Sequence, residues 1–396
     1  MAELQSVERA LEALLDGVTP LEAESVAAEQ AAGRVLAETV TARLDVPPAD
    51  NSAMDGYALR HADAGGWLPV SQRVAAGHAP APLAPGSCAR IFTGGEIPPG
   101  ADTVVMQERV ETREDSALIP ADLPAGDNVR RRGRDVSAGE PLLDAGTLLE
   151  AAALGHLAGQ GITRVSVRRR PRVALLSTGD EIVDPGQPLG PGQIHNSNRP
   201  MLSRLLERFG AELVMRETVP DDFATTRRVL SEAAERADVI ITTGGVSVGE
   251  EDHVRHALES LGQLDLWQLA MRPGKPLALG RIGNARFVGL PGNPVSCFVG
   301  AWVYLRPLMG ALLGSPRMAE LPRLWARAAF STRTQARRHY MRVALDFTPE
   351  GVLARAFADQ NSAVLSSCLD ADALAVIPAN STLEEGDTVE CLWLTH

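Results

Sequence analysis

Between residues 172 and 313 short apolar runs alternate with segments of helical period, and the runs end on turns rich in glycine. Arg-Val-Ala-Leu-Leu-Ser (172–177) leads into Thr178, Gly179, Asp180 and Glu181, and Asp-Val-Ile-Ile-Thr-Thr (238–243) leads into Gly-Gly-Val-Ser-Val-Gly (244–249). Further strands are expected at 212–219, 264–270 and 285–290, with helices at 198–209, 223–236, 251–261 and 294–313. A strand that is apolar on both faces must be covered on both faces, so this rhythm specifies a parallel sheet clothed by helices. Ligands of such sheets bind outside the carboxyl ends of the strands, where these turns fall.

The flanks read differently. Val7, Leu11, Leu14 and Leu15 fall on one helical face, and a short helix is expected at 31–42. Residues 47–135 are short β-type runs between Gly and Pro clusters, 148–159 return to helix, and 162–167 to strand. Beyond about residue 320 only strands are expected, as in a compact barrel. The fold class is therefore multidomain α/β plus β. It comprises a discontinuous mixed helical N-terminal domain (1–46 with 136–170), an inserted small β domain (47–135), a parallel-sheet α/β domain (171–318) and a C-terminal β barrel (319–396).

Composition narrows the function. In 396 residues, 38 Lys and Arg stand against 50 Asp and Glu, a net charge of −12 that disfavours a nucleic-acid partner. No secretory signal and no long uncharged apolar run is read, so no membrane partner is expected and a cytoplasmic location follows. Cys88, Cys297, Cys368 and Cys391 lack zinc-ligand spacing and read as free thiols. Lys275 is the sole lysine, the other 37 of those 38 basic residues being arginine. A lysine kept against that bias supplies a compact point charge that arginine does not, unless it is a chance survivor at the surface.

Three turns can carry chemistry. In 244–249 the glycines let several amides point at one place, ahead of a helix N-terminus that favours a phosphate; the same turn equally serves close packing. Arg-Pro-Gly-Lys-Pro (272–276) offers Arg272 and Lys275 as an anion clamp. Pro-Gly-Asn-Pro-Val (291–295) opens a helix that Asn293 or Ser296 could cap. Asp180, Glu181 and Asp252 lie near these turns, and acidic groups beside an anion site suit a hard cation such as Mg²⁺. For Glu251 and Asp252 the alternative is stabilisation of a helix dipole. The polar loop 50–58 and Arg-Arg-Arg-Gly-Arg-Asp (130–135) read as turn residues and a solvated hinge.

Asn-Ser-Ala-Met-Asp-Gly-Tyr (51–57), the 130–135 tract, Ser-Thr-Gly-Asp-Glu (177–181), 244–249, 272–276 and Gly-Leu-Pro-Gly-Asn-Pro-Val-Ser (289–296) follow one another in this order. Together they resemble the molybdopterin molybdenumtransferase family, which is MoeA-like and related to the gephyrin C-terminal domain. The resemblance spans essentially the whole chain. It implies an L-shaped homodimer that inserts molybdenum from molybdate into adenylated molybdopterin, releasing AMP with Mg²⁺ assisting. The implied site lies between the α/β domain of one subunit and the β domains of the other. Position by position, it implies catalytic roles for Asp55, Thr93, Asp135, Glu181, Asp221 and Lys275. It implies substrate binding by Gly244, Gly245, Ser247, Gly249, Arg272, Pro291, Asn293, Arg342 and Ser362, and metal binding by Asp252 and Glu181. Relatives often carry lysine where this chain has Gln268 and Arg272. Expected partners are the small-molecule substrates, a second copy of the chain, the molybdopterin adenylyltransferase and other cofactor-biosynthesis proteins. Two other readings are an adenylyltransferase acting on molybdopterin and a dimeric gephyrin-like scaffold for a partner peptide.

Overall fold

The computed structural model describes residues 4–245 and 253–394. The chain forms two compact units: one of residues 1–38, 145–151 and 164–396, the other of 39–144 and 152–163. All four cysteines are free.

The larger unit opens with helix α1 (Val7–Leu15), N-capped by Ser6 Oγ, which accepts from the Arg9 amide. Ahead of it Gln5 pairs with the end of the α/β sheet's edge strand: its N–H donates to Gln268 O and its C=O accepts from Ala270 N, both at 2.8 Å. The expected helix at 31–42 is not formed. Gly33 takes φ +70, and Val35 and Leu36 instead make isolated bridges to Leu148 and Val167. Burial of two adjacent apolar residues by pairing outweighs their modest helical propensity.

The smaller unit is built on a six-stranded sheet of β1 (Gly56–Leu59), β2 (Trp67–Val74), β3 (Cys88–Ile91), β4 (Thr103–Met106), β5 (Glu111–Arg113) and β6 (Ser116–Leu118), in the order β4-β1-β3-β2-β6-β5. Alternate residues feed two apolar clusters. Tyr57, Leu59, Cys88 and Val105 enter one, and Ala58, Ala89, Ile91 and Val104 the other. Most of helix α2 (Ala151–Gly159) belongs to this unit.

The larger unit resumes with β7 (Arg172–Thr178), α3 (Asn198–Arg208), β8 (Glu212–Val219), α4 (Phe223–Arg236), β9 (Val239–Thr243), α5 (His253–Leu261), β10 (Gln263–Gln268), β11 (Pro276–Ile282), β12 (Ala285–Leu290), α6 (Pro294–Gly300) and α7 (Arg306–Leu312). The sheet order is β8-β7-β9-β12-β11-β10. The first four strands are parallel, so Thr178, Val219, Thr243 and Leu290 end on one rim. β11 alone is reversed, antiparallel to β12 on one side and to β10 on the other, which makes the sheet mixed rather than wholly parallel. Gly283 at φ +57 permits the tight β11–β12 turn, and the Gly-Asn pair at 283–284 was the hairpin signal for the unexpected strand β11. Val173, Leu175, Val239, Ile241, Val288 and Leu290 face α1, α3, α6 and α7. Ala174, Leu176, Ile240 and Phe287 face α4 and α5.

Helices α6 and α7 continue through a π turn at Ala301–Leu305 into one helix, Pro294–Leu312. It is long and apolar enough to cross a membrane by length and composition, but Arg306 interrupts its apolar run and 89% of it is buried in the core. Its Trp302 packs edge-on against Phe209 at 5.1 Å. The C-terminal strands β13 (Arg323–Ala328), β14 (Arg338–Thr348), β15 (Gly351–Ala356), β16 (Ala373–Ile377) and β17 (Thr388–Trp393) close into a five-stranded barrel. β14 pairs with both β15 and β16, and closure leaves none of the five without a second neighbour.

Candidate functional site

The rim of the parallel strands gathers several of the expected residues. Glu181 follows β7, Asp221 follows β8, Gly244 and Gly245 follow β9, and Pro291 and Asn293 follow β12. Glycine is required at the start of the glycine turn. Gly244 and Gly245 have φ +96 and +62, and a Cβ would stand 2.9 Å from Thr178 Oγ1 at the first and 2.4 Å from Val254 Cγ2 at the second. Close packing therefore explains these two positions; Ser247, Gly249, Glu251 and Asp252 lie outside the described residues. Asp180 Oδ1 accepts from the Asp221 amide at 3.0 Å, tying the ends of β7 and β8 together. The Glu181 carboxylate folds back over Gly179, whose φ is +131. Glu181 and Asp221 do not line the pocket described next.

A pocket of about 520 Å³ opens beside this rim. It is lined by Arg272 and Lys275 from the 272–276 loop, Pro291, Asn293 and Ser296 from the start of α6, and Gln360, Asn361 and Ser362 from the loop after β15. Arg337 adds a third full positive charge. Among the described residues none of Arg272, Lys275 and Arg337 forms an ion pair, so the three charges are left for a ligand. The loops are held from behind. Met271 and Arg272 pair in parallel with Arg338 and His339, Leu269 N donates to Lys275 O at 2.7 Å, and Val295 N to Ser362 O at 3.1 Å. Asn293 is the N-cap residue of α6, but its side chain makes no capping bond, so it remains available to the pocket.

Arg342 lies in an adjoining pocket of about 420 Å³ that shares Arg272, Pro273 and Gln360 with the first and adds Arg333 and His339. Its side chain is 1% exposed. Nε donates to Ser367 Oγ at 3.0 Å, and Nη2 reaches the carbonyls of Asp359 and Asn361 at 3.4 and 3.3 Å. The guanidinium thus supports the loop that carries Ser362 as well as bordering the cavity. Burial, with Arg272 and Arg337 nearby, holds the His339 imidazole below its ordinary pKa.

The smaller unit holds a second polar constellation. Asp55 Oδ1 accepts from both the amide and the hydroxyl of Thr93, each at 2.8 Å. Those two bonds, with Arg90 nearby, keep the Asp55 carboxyl below the usual range. Arg90 stacks over Phe92 at 4.5 Å and Arg73 at 4.7 Å. Asp135 lies elsewhere in this unit, 4.0 Å from His156 Nε2. Of the basic tract before it, Arg131 pairs with Asp50 at 2.6 Å and Arg132 with Asp45, so that stretch clamps its own loop.

Among the described residues no three His, Cys, Asp or Glu side chains converge on one point. Mg²⁺ does not require such a cage. It takes one or two carboxylates together with substrate phosphates, and Glu181 at the rim is a donor of that kind. Sequence reasoning read Ser296 only as a helix cap and missed Arg337, Gln360, Asn361, Arg333 and His339. Only Arg337 and Arg333 carried a signal, as part of the arginine-rich run before β14.

The α/β domain and the closed barrel thus frame one cationic pocket between them. Family models agree along the length of the chain. The MoeA N-terminal region (domain I and II) matches residues 5–161, the probable molybdopterin binding domain 174–311, and the MoeA C-terminal region (domain IV) 326–394. A molybdopterin molybdenumtransferase of Haemophilus influenzae is 40% identical over 316 residues, covering 79% of this chain and 78% of that protein. One from Synechococcus elongatus is 38% identical and covers 97% and 98%. A crystal structure of the molybdopterin biosynthesis MoeA protein from Pyrococcus horikoshii OT3 superposes with TM-score 0.85 at 28% identity, covering 99% of this chain and 100% of that one. The chain belongs to the molybdopterin molybdenumtransferase family, enzymes of molybdenum cofactor biosynthesis.

Proposed function

We propose that the protein inserts molybdenum from molybdate into adenylated molybdopterin and releases AMP. The observation that carries this reading is the pocket in which Arg272, Lys275 and Arg337 stand without an ion-pair partner among the described residues. Molybdate is a compact tetrahedral dianion. The Lys275 ammonium and the Arg272 guanidinium would neutralise it, and the hydroxyls of Ser296 and Ser362 can donate to its oxygens. Pro291 and Asn293 shape the opposite wall, and Arg342 keeps the 359–362 loop in place. Gly244 and Gly245, continued by Ser247 and Gly249, would carry the substrate phosphates near the start of α5.

Replacing oxo groups on molybdenum by sulfur ligands requires proton transfers. Asp55, Asp135, Glu181 and Asp221 are the acid–base candidates, and the bonds from Thr93 keep Asp55 in its carboxylate form. Glu181 and Asp252 would hold Mg²⁺, which when bound supplies charge neutralisation at the phosphates. The candidate groups fall on both units, and we propose that the protein works in the cytoplasm as a homodimer.

The test is AMP release from adenylated molybdopterin with and without molybdate. Molybdate-dependent release that falls at least about tenfold in Lys275→Ala supports the reading, given the usual worth of a charged hydrogen bond. Consumption of ATP would favour the adenylyltransferase alternative. Substrate binding without any release would favour a scaffold.

A further inference from the structure

Arg90 makes no ion pair, yet its guanidinium touches both of the turns that create the Asp55–Thr93 pair. It stands half-buried on β3, opposite Tyr57 of β1 and opposite Arg73 of β2. Among the described residues neither Arg90 nor Arg73 has a carboxylate within ion-pair distance. Two like charges opposite one another are unfavourable in a sheet. Here both guanidiniums lie over the Phe92 ring, and Arg90 lies over the Tyr57 ring as well, at 5.3 Å. The aromatic faces offset part of the repulsion.

The donors of Arg90 go to acceptors that adjoin the pair. Nη1 donates to Gly56 O at 2.8 Å and to Ile91 O at 3.2 Å, and Nη2 donates to Gln107 Oε1 at 2.5 Å. Gly56 follows Asp55 and is pressed against β4, where a Cβ would stand 1.9 Å from Val105 O. Gln107 N donates to Asp55 O at 3.0 Å, and Gln107 Nε2 donates to Glu108 at 3.1 Å, which leaves its Oε1 for Arg90. Ile91 and Phe92 lead directly into Thr93. One planar fork thus holds the chain on either side of Asp55 and the chain that delivers Thr93. Both Thr93 bonds fall on Asp55 Oδ1, so Oδ2 is the oxygen left to meet a substrate. We infer that Arg90 is the positioning residue of the Asp55 carboxylate: its guanidinium locks the Asp55 and Thr93 turns together, so that Thr93 occupies Oδ1 and Oδ2 is presented in one orientation. Shape carries this role more than charge. A lysine ammonium is a compact point charge and cannot bridge Gly56 O and Gln107 Oε1 while lying flat on two rings. The inference rests on the function proposed above, in which Asp55 is an acid–base candidate, and adds the residue that aims it.

The test uses the full chain, the variants Arg90→Lys and Arg90→Gln, and two readouts. One is kcat and KM for molybdate-dependent AMP release. The other is the pH titration of the Asp55 carboxyl by carbon-13 NMR, its signal assigned by its loss in Asp55→Asn. Arg90 is the charged group whose field reaches Asp55, while Arg73 and Glu108 stand further off, on Phe92 and Gln107. Arg90→Lys keeps the charge and removes the fork. The expected result is kcat lowered at least about tenfold with KM within about twofold, and an Asp55 carboxyl that titrates higher than in wild type because the Thr93 bonds loosen. Arg90→Gln is expected to show at least the same changes and serves if Arg90→Lys unfolds. A merely structural role predicts a lower melting temperature with kcat and the Asp55 titration unchanged, and that result overturns the inference. Full activity in Arg90→Lys also overturns it, since charge alone would then suffice. If wild type releases no AMP, the proposed function fails, and the Asp55 titration decides the positioning role by itself: a rise in Arg90→Lys supports it and an unaltered curve sinks it.

Discussion

Replacing Gln360 by leucine should loosen the oxyanion pocket without touching any of its charges. β15 ends at Ala356, opposite Val343, and beyond it the Gln360 side chain takes over the pairing of β14. Its Oε1 accepts from Arg342 N, and its Nε2 donates to the carbonyls of Arg342 and Phe357, all at 3.0 Å. The carboxamide acts as a one-residue extension of the strand and closes the loop that carries Asn361 and Ser362. Three neutral hydrogen bonds at about 0.5–1.5 kcal/mol each amount to roughly 1.5–4.5 kcal/mol. Gln360 is half-buried, so water recovers part of this, and about 2 kcal/mol is a fair expectation. That corresponds to at most about a 30-fold loss of oxyanion affinity if binding requires the closed loop. Gln360→Glu keeps one acceptor and loses both donated bonds, so it should weaken binding further by adding a negative charge to the pocket. Calorimetric titration with molybdate, alongside hydrogen exchange of the 357–364 amides, measures both effects. If Gln360→Leu binds molybdate within twofold of wild type and its loop amides stay protected, the bracing argument is wrong.

Lys275→Arg should slow molybdate-dependent AMP release by about tenfold or more, because a planar five-donor group replaces a compact ammonium; turnover near wild type would make the sole lysine a survivor of chance. Binding of molybdate should strengthen as pH falls below 6.5, since a dianion in the pocket adjoining that of His339 favours the charged imidazole that burial and the neighbouring arginines disfavour; in His339→Gln the pH dependence should flatten, measured as Kd between about pH 5 and 7. Asp238 accepts from Arg169 at 2.7 and 2.9 Å and from the Arg172 amide at 2.7 Å. Burial alone would raise its pKa, but these bonds outweigh it and hold the carboxyl low. Its stabilising share is therefore present above about pH 4 and lost as pH falls through the lower folded value. Asp238→Asn should cost about 1–3 kcal/mol at pH 7 and less near pH 3, by denaturant unfolding.

The α/β rhythm was legible because each of its central strands is apolar on both faces, and a fully buried strand advertises itself as an unbroken run. β11 was not, since Pro-Leu-Ala-Leu-Gly-Arg-Ile begins on proline and its partner arrives through a two-residue turn. The rim turns could be found from glycine and proline alone. Arg337, Gln360 and His339 could not, because they reach the pocket from the barrel, and nothing local in 330–362 says that those loops return to residues 272 and 295.

The bond pair of Gln5 bears on how the molecule can be dissected. Its N–H and C=O satisfy Gln268 O and Ala270 N, and Ala270 O in turn accepts from Arg338 N, so a short extended piece ahead of α1 is the middle rung of a ladder leading to Arg272. A fragment cut to residues 171–318 would expose Val173, Leu175 and Val239, which α1 helps to cover, and would leave that rung empty. The smallest piece that keeps the pocket's supports is accordingly not a contiguous stretch of sequence. It needs residues separated by some 260 positions, and a truncation or fusion at residue 5 acts on the pocket as directly as a substitution inside it.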